Sequence, residues 1–355
     1  MKENIIFVGG CGHGKETTNG VAAKNYFLLQ RLKEVFPTVK VVDTDGWKKN
    51  PFILLKLALL LTVYPDYKIV ISLNTPSAYK FVHIAHALFP QRHLCYFVIG
   101  GVLASYLEEG KIKRIPFNCV NWFMVESLQM KEKMTEMGFA NTLYVPNFKN
   151  ISYLPTRKAH QEGTPTNFVF LSRIIPEKGC DYIIDAVKML NSQGLADRFC
   201  VHFYGTIADS YNKLFHQQIA SLTNVEYKGF LDLRKVENYD VLAQYDVMLF
   251  PTYWYGEGFP GIIIDAFIAG LPVIASDWGH NSEIIETGKN GVVIPARNAE
   301  ELSKQMMAFT KNTRERERMS QCCQAAARKY DTRNILSEQL LAKIINSTFA
   351  SSSFV

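Results

Sequence analysis

Residues 247–276 read VMLFPTYWYGEGFPGIIIDAFIAGLPVIAS. Val247–Phe250 is a short apolar run of the kind that makes a fully buried strand. An aromatic and glycine-rich turn follows, with a carboxylate at Glu257 and then Gly258, Phe259, Pro260 and Gly261. The apolar run after Gly261 predicts a short helix bearing a second carboxylate, Asp265, and the chain returns through a second buried strand ending at Ser276. Strand, turn, helix and strand in one unbroken piece is the unit of a parallel sheet covered by helices. The same piece suits a ligand. Gly258 and Gly261 let the backbone come close to it, and the amides opening the helix after Pro260 form an anion site. Glu257 and Asp265 are eight residues apart, about 12 Å if all were helical. They can therefore hold hydroxyls on either side of a phosphate, as a nucleotide-sugar would require.

Working outward, the same alternation fills the second half of the chain. Strands are expected at Phe168–Leu171, Phe199–Tyr204, Val225–Lys228, Val247–Phe250 and Gly291–Ile294. Helices are expected at Gly179–Gln193, Asp209–Ser221, Leu233–Gln244 and Ala299–Thr310, with an amphipathic helix over Asp331–Ile345. The first half repeats the theme. Its strands are expected at Ile5–Val8, Val39–Val42, Ile69–Ser72, Leu94–Val98, Trp122–Val125 and Leu143–Val145, and its helices at Val21–Phe36, Pro51–Val63, Ser77–Leu88 and Leu128–Met137. Between the halves, Asn147–Thr166 is polar and aperiodic, with Pro155, Gly163 and Pro165, which marks a linker. Two doubly wound α/β halves imply a central cleft, where ligands bind in such folds.

The length of 355 residues fits two domains, each able to bury a core. Hydrophobic residues make up 48% and charged residues 20%, as in soluble globular proteins. A net charge of +6 suits an anionic ligand or an anionic membrane surface. Its lysines and arginines are scattered, which argues against nucleic acid. The seven cysteines show no CxxC spacing, so reduced structural thiols in a cytosolic chain are expected. Met1-Lys-Glu-Asn leads straight into a strand, without a signal peptide. The most apolar segment, Phe52–Tyr64, is too short to span a bilayer. It reads as a buried helix, with a membrane-surface helix as the lesser option.

A second phosphate candidate is Leu171-Ser-Arg-Ile-Ile-Pro-Glu-Lys-Gly179. A strand ends near Ser172, which places Arg173 and Lys178 at the mouth of the sheet. There a planar fork and a point charge can neutralise a diphosphate. Alone, the pair would read as two solvated loop cations; beside Glu257 on the same sheet edge it reads as a site. Here the chain resembles glycosyltransferase family 4, retaining transferases of the GT-B fold. Arg173–Gly179 looks like the family's R-x4-K-G donor loop, and residues 257–265 look like its Glu-x7-Glu signature. Glu283, Gly288, Gly291 and Pro295 stand where the family has Glu, Gly, Gly and Pro, Pro146-Asn147 matches the close of the acceptor domain, and Gly20-Val21 falls in the first loop.

The resemblance implies two Rossmann-like domains, 1–150 for the acceptor and 151–330 for the nucleotide-sugar, with residues 331–355 packing back on the first. It implies that Arg173 and Lys178 hold the donor diphosphate, with Ser172 beside them. Glu257 would meet donor-sugar hydroxyls, Gly258 to Gly261 would offer backbone amides, and Asp265, shorter than the family's Glu, would take the ribose. No metal or other cofactor is expected, because the two cations fill that role. Partners would be a nucleotide-sugar donor and a saccharide or lipid-linked acceptor, with loose attachment at the inner face of the cell membrane.

The acceptor-domain histidine of many relatives is missing, since the corresponding stretch reads Tyr96-Phe-Val-Ile-Gly100-Gly101. The paired glycines can still approach a sugar. Gly9-Gly-Cys-Gly-His13-Gly-Lys15 nearly matches a nucleoside-triphosphate loop, but Glu16 stands where the magnesium-binding hydroxyl belongs. It reads instead as a flexible glycine loop in which His13 could touch donor or acceptor. A P-loop nucleoside triphosphatase and a sugar-nucleotide binding protein or isomerase without transfer activity are the alternatives.

Overall fold

The structure, a computed structural model, describes residues 2–12, 20–50, 52–157 and 163–347. The chain divides into two compact units, Met1–Asn150 with Asp331–Val355, and Ile151–Tyr330. The first unit runs β1 (Asn4–Gly9), α1 (Gly20–Val35), β2 (Thr38–Asp43), α2 (Phe52–Val63), β3 (Lys68–Asn74), α3 (Thr75–Leu88), β4 (Leu94–Ile99), α4 (Leu103–Glu108), β5 (Trp122–Val125), α5 (Leu128–Glu136) and β6 (Thr142–Tyr144). The second runs β7 (Thr166–Leu171), α6 (Cys180–Ser192), β8 (Phe199–Tyr204), α7 (Asp209–Ile219), β9 (Val225–Tyr227), α8 (Asn238–Leu242), β10 (Val247–Phe250), α9 (Gly261–Ile268), β11 (Val273–Ser276), α10 (Asn281–Ile284), β12 (Gly291–Ile294), α11 (Ala299–Lys311) and α12 (Thr313–Ala327). The chain then rejoins the first unit with α13 (Thr332–Ile335) and α14 (Glu338–Asn346).

Each unit is built on a parallel six-stranded sheet with the two-sided burial that continuous apolar runs demand. The first has the order β2-β1-β3-β4-β5-β6 and the second β12-β11-β10-β7-β8-β9. Both orders reverse direction once, between β1 and β3 and between β7 and β10, which makes both sheets doubly wound. In the first unit Leu28, Leu32, Phe148, Leu341 and Ile344 cover one face, and Ala78, Val82, Phe117 and Phe123 belong to the core on the other. The second unit is sandwiched in the same way, by Ile183, Val187, Leu302 and Met306 on one side and Ile263, Ile264 and Phe267 on the other.

Three expectations need correction. The helix foreseen over Leu233–Gln244 shrinks to α8, Asn238–Leu242. The Asp232 carboxylate takes the amide and guanidinium of Arg234 at 3.1 and 2.8 Å, and its carbonyl takes Asn238 Nδ2 at 2.8 Å. These local bonds hold a turn in place of the first helical turn. The tail helix over Asp331–Ile345 is broken into α13 and α14, because Asp331 and Ser337 each cap a new start. The helix at Phe52–Tyr64 forms, but it is not buried, and Ile53 is its one buried residue. Its sequence is apolar on every side, so composition says that it avoids water without saying how many neighbours it has. Burial holds six of the seven thiols protonated: Cys11 is pushed up to about 12, Cys119 and Cys200 to about 11, and Cys95, Cys180 and Cys323 further still.

Candidate functional site

The direction reversal of the second sheet brings the carboxyl ends of β7 and β10 side by side, the usual place for a ligand in an open parallel sheet. Leu171 ends β7, and Ser172 and Arg173 follow it. Ser172 N donates to Tyr204 O at 3.2 Å. Two glycines make the approach of these loops possible. Gly205 has φ +141°, and a Cβ there would lie 1.7 Å from Ser172 O. Gly179 has φ +84°, and a Cβ there would lie 2.2 Å from Pro251 O.

Lys178 closes a single 3-10 turn, Pro176–Lys178, just ahead of α6. Its Nζ meets Glu257 Oε2 at 2.5 Å, and the two side chains are 8 and 10% exposed. Thr252 Oγ1 donates to the same carboxylate oxygen at 2.9 Å and accepts from Trp254 N at 3.3 Å. Ser276 Oγ, at the end of β11, bonds Thr252 O. Glu257 is therefore fixed by a cation and a hydroxyl whose own positions are set by three strand ends. The Arg173 guanidinium lies 5.0 Å from the Trp254 ring centre, and Trp278 Nε1 donates to Trp254 O at 2.8 Å. Arg297, with φ 59°, lies 4.7 Å from the Tyr253 ring and 5.8 Å from that of Trp278. Two arginines, a lysine and a carboxylate thus share one sheet edge with three aromatic rings, an arrangement fit to hold an anionic group beside hydroxyls.

The rest of the signature divides by burial. Gly258 continues the loop from Glu257. Phe259 is 3% exposed and packs its ring on Tyr330 at 5.5 Å, so its side chain belongs to the core. Pro260 precedes α9, which opens at Gly261 with no side-chain cap; Ile263 N donates back to Pro260 O at 3.1 Å, so Gly261 and Ile262 are the first amides an anion at this end would meet. Asp265 is 3% exposed, and its carboxylate accepts from Tyr239 Oη at 2.6 Å. Burial beside that carboxylate holds the Tyr239 phenol well above its ordinary range, so it stays protonated and donates. A ribose contact at Asp265 would have to be shared with this bond. Tyr239→Phe leaves a buried carboxylate short of one donor. It is expected to cost about 1–3 kcal/mol, read as a lower urea midpoint at unchanged m-value.

The remaining candidates belong to the first unit. Gly20 and Val21 open α1. Gly100, with φ +87°, and Gly101 follow β4 at its carboxyl end. His13, with the rest of 13–19, lies outside the described residues. The glycine loop before it is already engaged: Cys11 N donates to Asp43 Oδ1 at 2.9 Å, and Gly12 N donates to Asp45. Among the described residues of this loop, the amides of Cys11 and Gly12 thus face carboxylates and are not open to a phosphate. His280 is 7% exposed, and its Nδ1 meets Glu283 Oε1 at 2.9 Å. Sequence reasoning passed over Thr252, Arg297 and Gly205. For Thr252, a hydroxyl two residues beyond a strand end was a signal. For Arg297 and Gly205, no local signal exists.

Residues 155–325 match the family described as glycosyl transferases group 1. The putative colanic acid biosynthesis glycosyltransferase WcaL of Salmonella typhimurium is 27% identical over 160 residues, which cover 44% of this chain and 38% of that protein. The poly(ribitol-phosphate) alpha-N-acetylglucosaminyltransferase of Staphylococcus aureus is 24% identical over 333 residues, 92% of this chain and 59% of that one. The match thus spans less than two thirds of these curated relatives' length. Among solved structures, Anabaena Alr3699/HepE in complex with UDP aligns with TM-score 0.72 at 18% identity, covering 97% of this chain and 99% of that one. The sucrose-phosphate synthase of Thermosynechococcus elongatus aligns with TM-score 0.75 at 12% identity, covering 96 and 98%. The two sheets and these likenesses make the fold GT-B, and the second unit is similar to the glycosyl transferases group 1 through residues 155–325, a little under half of the chain.

Proposed function

We propose that the chain is a retaining glycosyltransferase that moves a sugar from a nucleoside-diphosphate-sugar to a hydroxyl of a saccharide or lipid-linked saccharide in bacterial polysaccharide synthesis. The observation that carries this reading is the meeting of Lys178 with Glu257 beside Arg173, at the switch point of the second sheet. It is supported by relatives named for colanic acid and amylovoran synthesis and by similarly folded chains solved with UDP or UDP-glucose. With a donor bound, Lys178 would exchange part of its bond to Glu257 for a phosphate oxygen, and Glu257 would turn to the sugar hydroxyls. As the bond from the anomeric carbon to phosphate breaks, its electron pair passes to the diphosphate, which Arg173 and Lys178 stabilise. The acceptor oxygen takes the same face of the anomeric carbon, and its proton goes to the departing phosphate oxygen.

With a lipid-linked acceptor the place of action would be the inner face of the cell membrane, approached peripherally. No helix among the described residues is long and apolar enough to cross one. The test combines a thermal-shift screen against UDP-, GDP-, ADP- and TDP-sugars with product analysis on saccharide acceptors. One donor is expected to raise Tm and to yield an α-linked product from an α-linked donor. Because two side-chain cations neutralise the leaving group, transfer is expected to persist in EDTA. An inverted product or full loss of transfer in EDTA would overturn the mechanism, and a donor that stabilises without transfer would favour a binding protein.

A further inference from the structure

Among the described residues, Arg297 is the one non-glycine residue with a positive φ, 59°. It follows β12 and stands directly before Asn298, whose side chain caps α11 by accepting from Glu301 N at 2.8 Å. A side chain in left-handed backbone is strained, and such strain persists only where the surroundings hold it, often at ligand sites. Here two rings hold it, Tyr253 beyond β10 and Trp278 beyond β11. Cation–π attraction fixes the guanidinium without using its N–H donors. Among the described residues those donors make no hydrogen bond and no ion pair. Glu177 and Asp181 lie near Tyr253, but neither pairs with Arg297, and Asp181 already accepts from Tyr211 Oη at 2.6 Å and Gln218 Nε2 at 2.9 Å. Arg297 is thus a positioned fork that nothing in its own unit fills.

The strand order makes Arg297 one end of a row. β12, β11, β10 and β7 are neighbours in the sheet, and just beyond their carboxyl ends stand, in turn, Arg297, Trp278, Tyr253 with Trp254, and Arg173. The outer strands of this set are three spacings apart, about 14 Å, farther than one diphosphate reaches. A diphosphate on Arg173 and Lys178 therefore leaves Arg297 for a second anion. Between the two arginines lies aromatic surface, with Tyr253, Trp254 and Trp278 each partly open to solvent. Sugars pack their C–H faces on such rings, and aromatic walls with a few placed polar groups are the make-up of a small-molecule site. We propose that this row is a subsite for an acidic saccharide acceptor, whose sugar rings lie along the aromatic side chains and whose carboxylate or phosphate enters the fork of Arg297. The saccharide's role as acceptor rests on the transferase reading; its binding needs only the second unit.

The test is calorimetric titration of the full chain with cellobiose and maltose, each used neutral, oxidised to the uronic acid, or phosphorylated at the terminal primary hydroxyl. At least one acid is expected to bind at least tenfold more tightly than its neutral parent, with an advantage that shrinks in salt. Whether uronate or phosphate gains more identifies the acid. Arg297→Gly relieves the left-handed backbone, so it is expected to keep or raise Tm while removing the preference for acid. A side chain held there only for packing would give the reverse, a lower Tm with the preference intact, and that result would overturn the proposal. So would equal binding of acidic and neutral sugars by the wild type. Saturating UDP is expected to leave the preference in place; displacement of the acid by UDP would put it on Arg173 and Lys178 and overturn the assignment to Arg297. Failure of transfer from every nucleotide-sugar would count against the transferase reading alone, because none of these titrations requires turnover.

Discussion

Lys178→Ala is expected to lower sugar transfer by about 10²–10³-fold, the range that follows removal of one positioned donor to a developing oxyanion. The structure also shows why loss of rate alone would not settle its role. Lys178 and Glu257 are paired at 2.5 Å with side chains only 8 and 10% exposed, and removing one partner of such a pair strands the other charge. The cost is about 3 kcal/mol, the low end for buried pairs, because Thr252 Oγ1 still donates to Glu257. The informative partner is Lys178→Ala/Glu257→Gln, which removes the stranded charge. Its Tm is expected to recover while its turnover stays low, since the cation facing the leaving group and the carboxylate facing the sugar are both missing. Recovery of turnover together with Tm would reduce Lys178 to a structural residue.

Gly179→Ala is expected to destabilise the second unit by about 2–6 kcal/mol, combining about 1–3 for a non-glycine residue in left-handed backbone with about 1–3 for overpacking. At φ +84° the added Cβ would meet the Pro251 carbonyl at 2.2 Å and its side chain at 2.8 Å. These are fixed atoms at the end of β10, so the loop after β7 must retreat. Lys178 would then be drawn away from Glu257. For a unit of this size the shift in Tm is about 10 °C, and donor-induced stabilisation is expected to vanish with it. Gly194→Ala serves as the control: φ is +75°, but nothing lies within 4 Å of the added Cβ. It is expected to carry the backbone cost alone and to keep donor binding. Equal effects of the two variants would show that close approach to Pro251 is unimportant.

The sheet architecture was legible because each buried parallel strand writes itself as an apolar run, as Phe168–Leu171 and Val247–Phe250 do. Where a side chain competes with the backbone, periodicity misleads, as at Asp232, whose turn displaces the helix start expected at Leu233. Phe52–Tyr64 was misread because apolar character specifies avoidance of water and says nothing of how many neighbours the fold supplies. In the site, Arg173, Lys178 and Glu257 could be named from their spacing. Their contact could not be, since Lys178 and Glu257 are 79 residues apart. The same holds for Gly205, whose reason for being glycine is the carbonyl of Ser172, which follows a different strand.

The return of the chain to its first unit has a consequence for biosynthesis. The core around Phe7, Phe27, Phe148 and Trp122 includes Leu341, Ile344 and Ile345 from α14, and Trp122 Nε1 and His93 Nε2 bond the carbonyls of Ser347 and Ile344 at 2.9 and 2.6 Å. A ribosome releases residues in order, and domains begin to fold as they emerge. The segment made first must therefore wait, with one face of its sheet incompletely covered, while the whole 151–330 unit is synthesised and is free to fold. The half of the molecule that leaves the ribosome earliest is the last to be finished, and it is the half that chaperones have most time to meet.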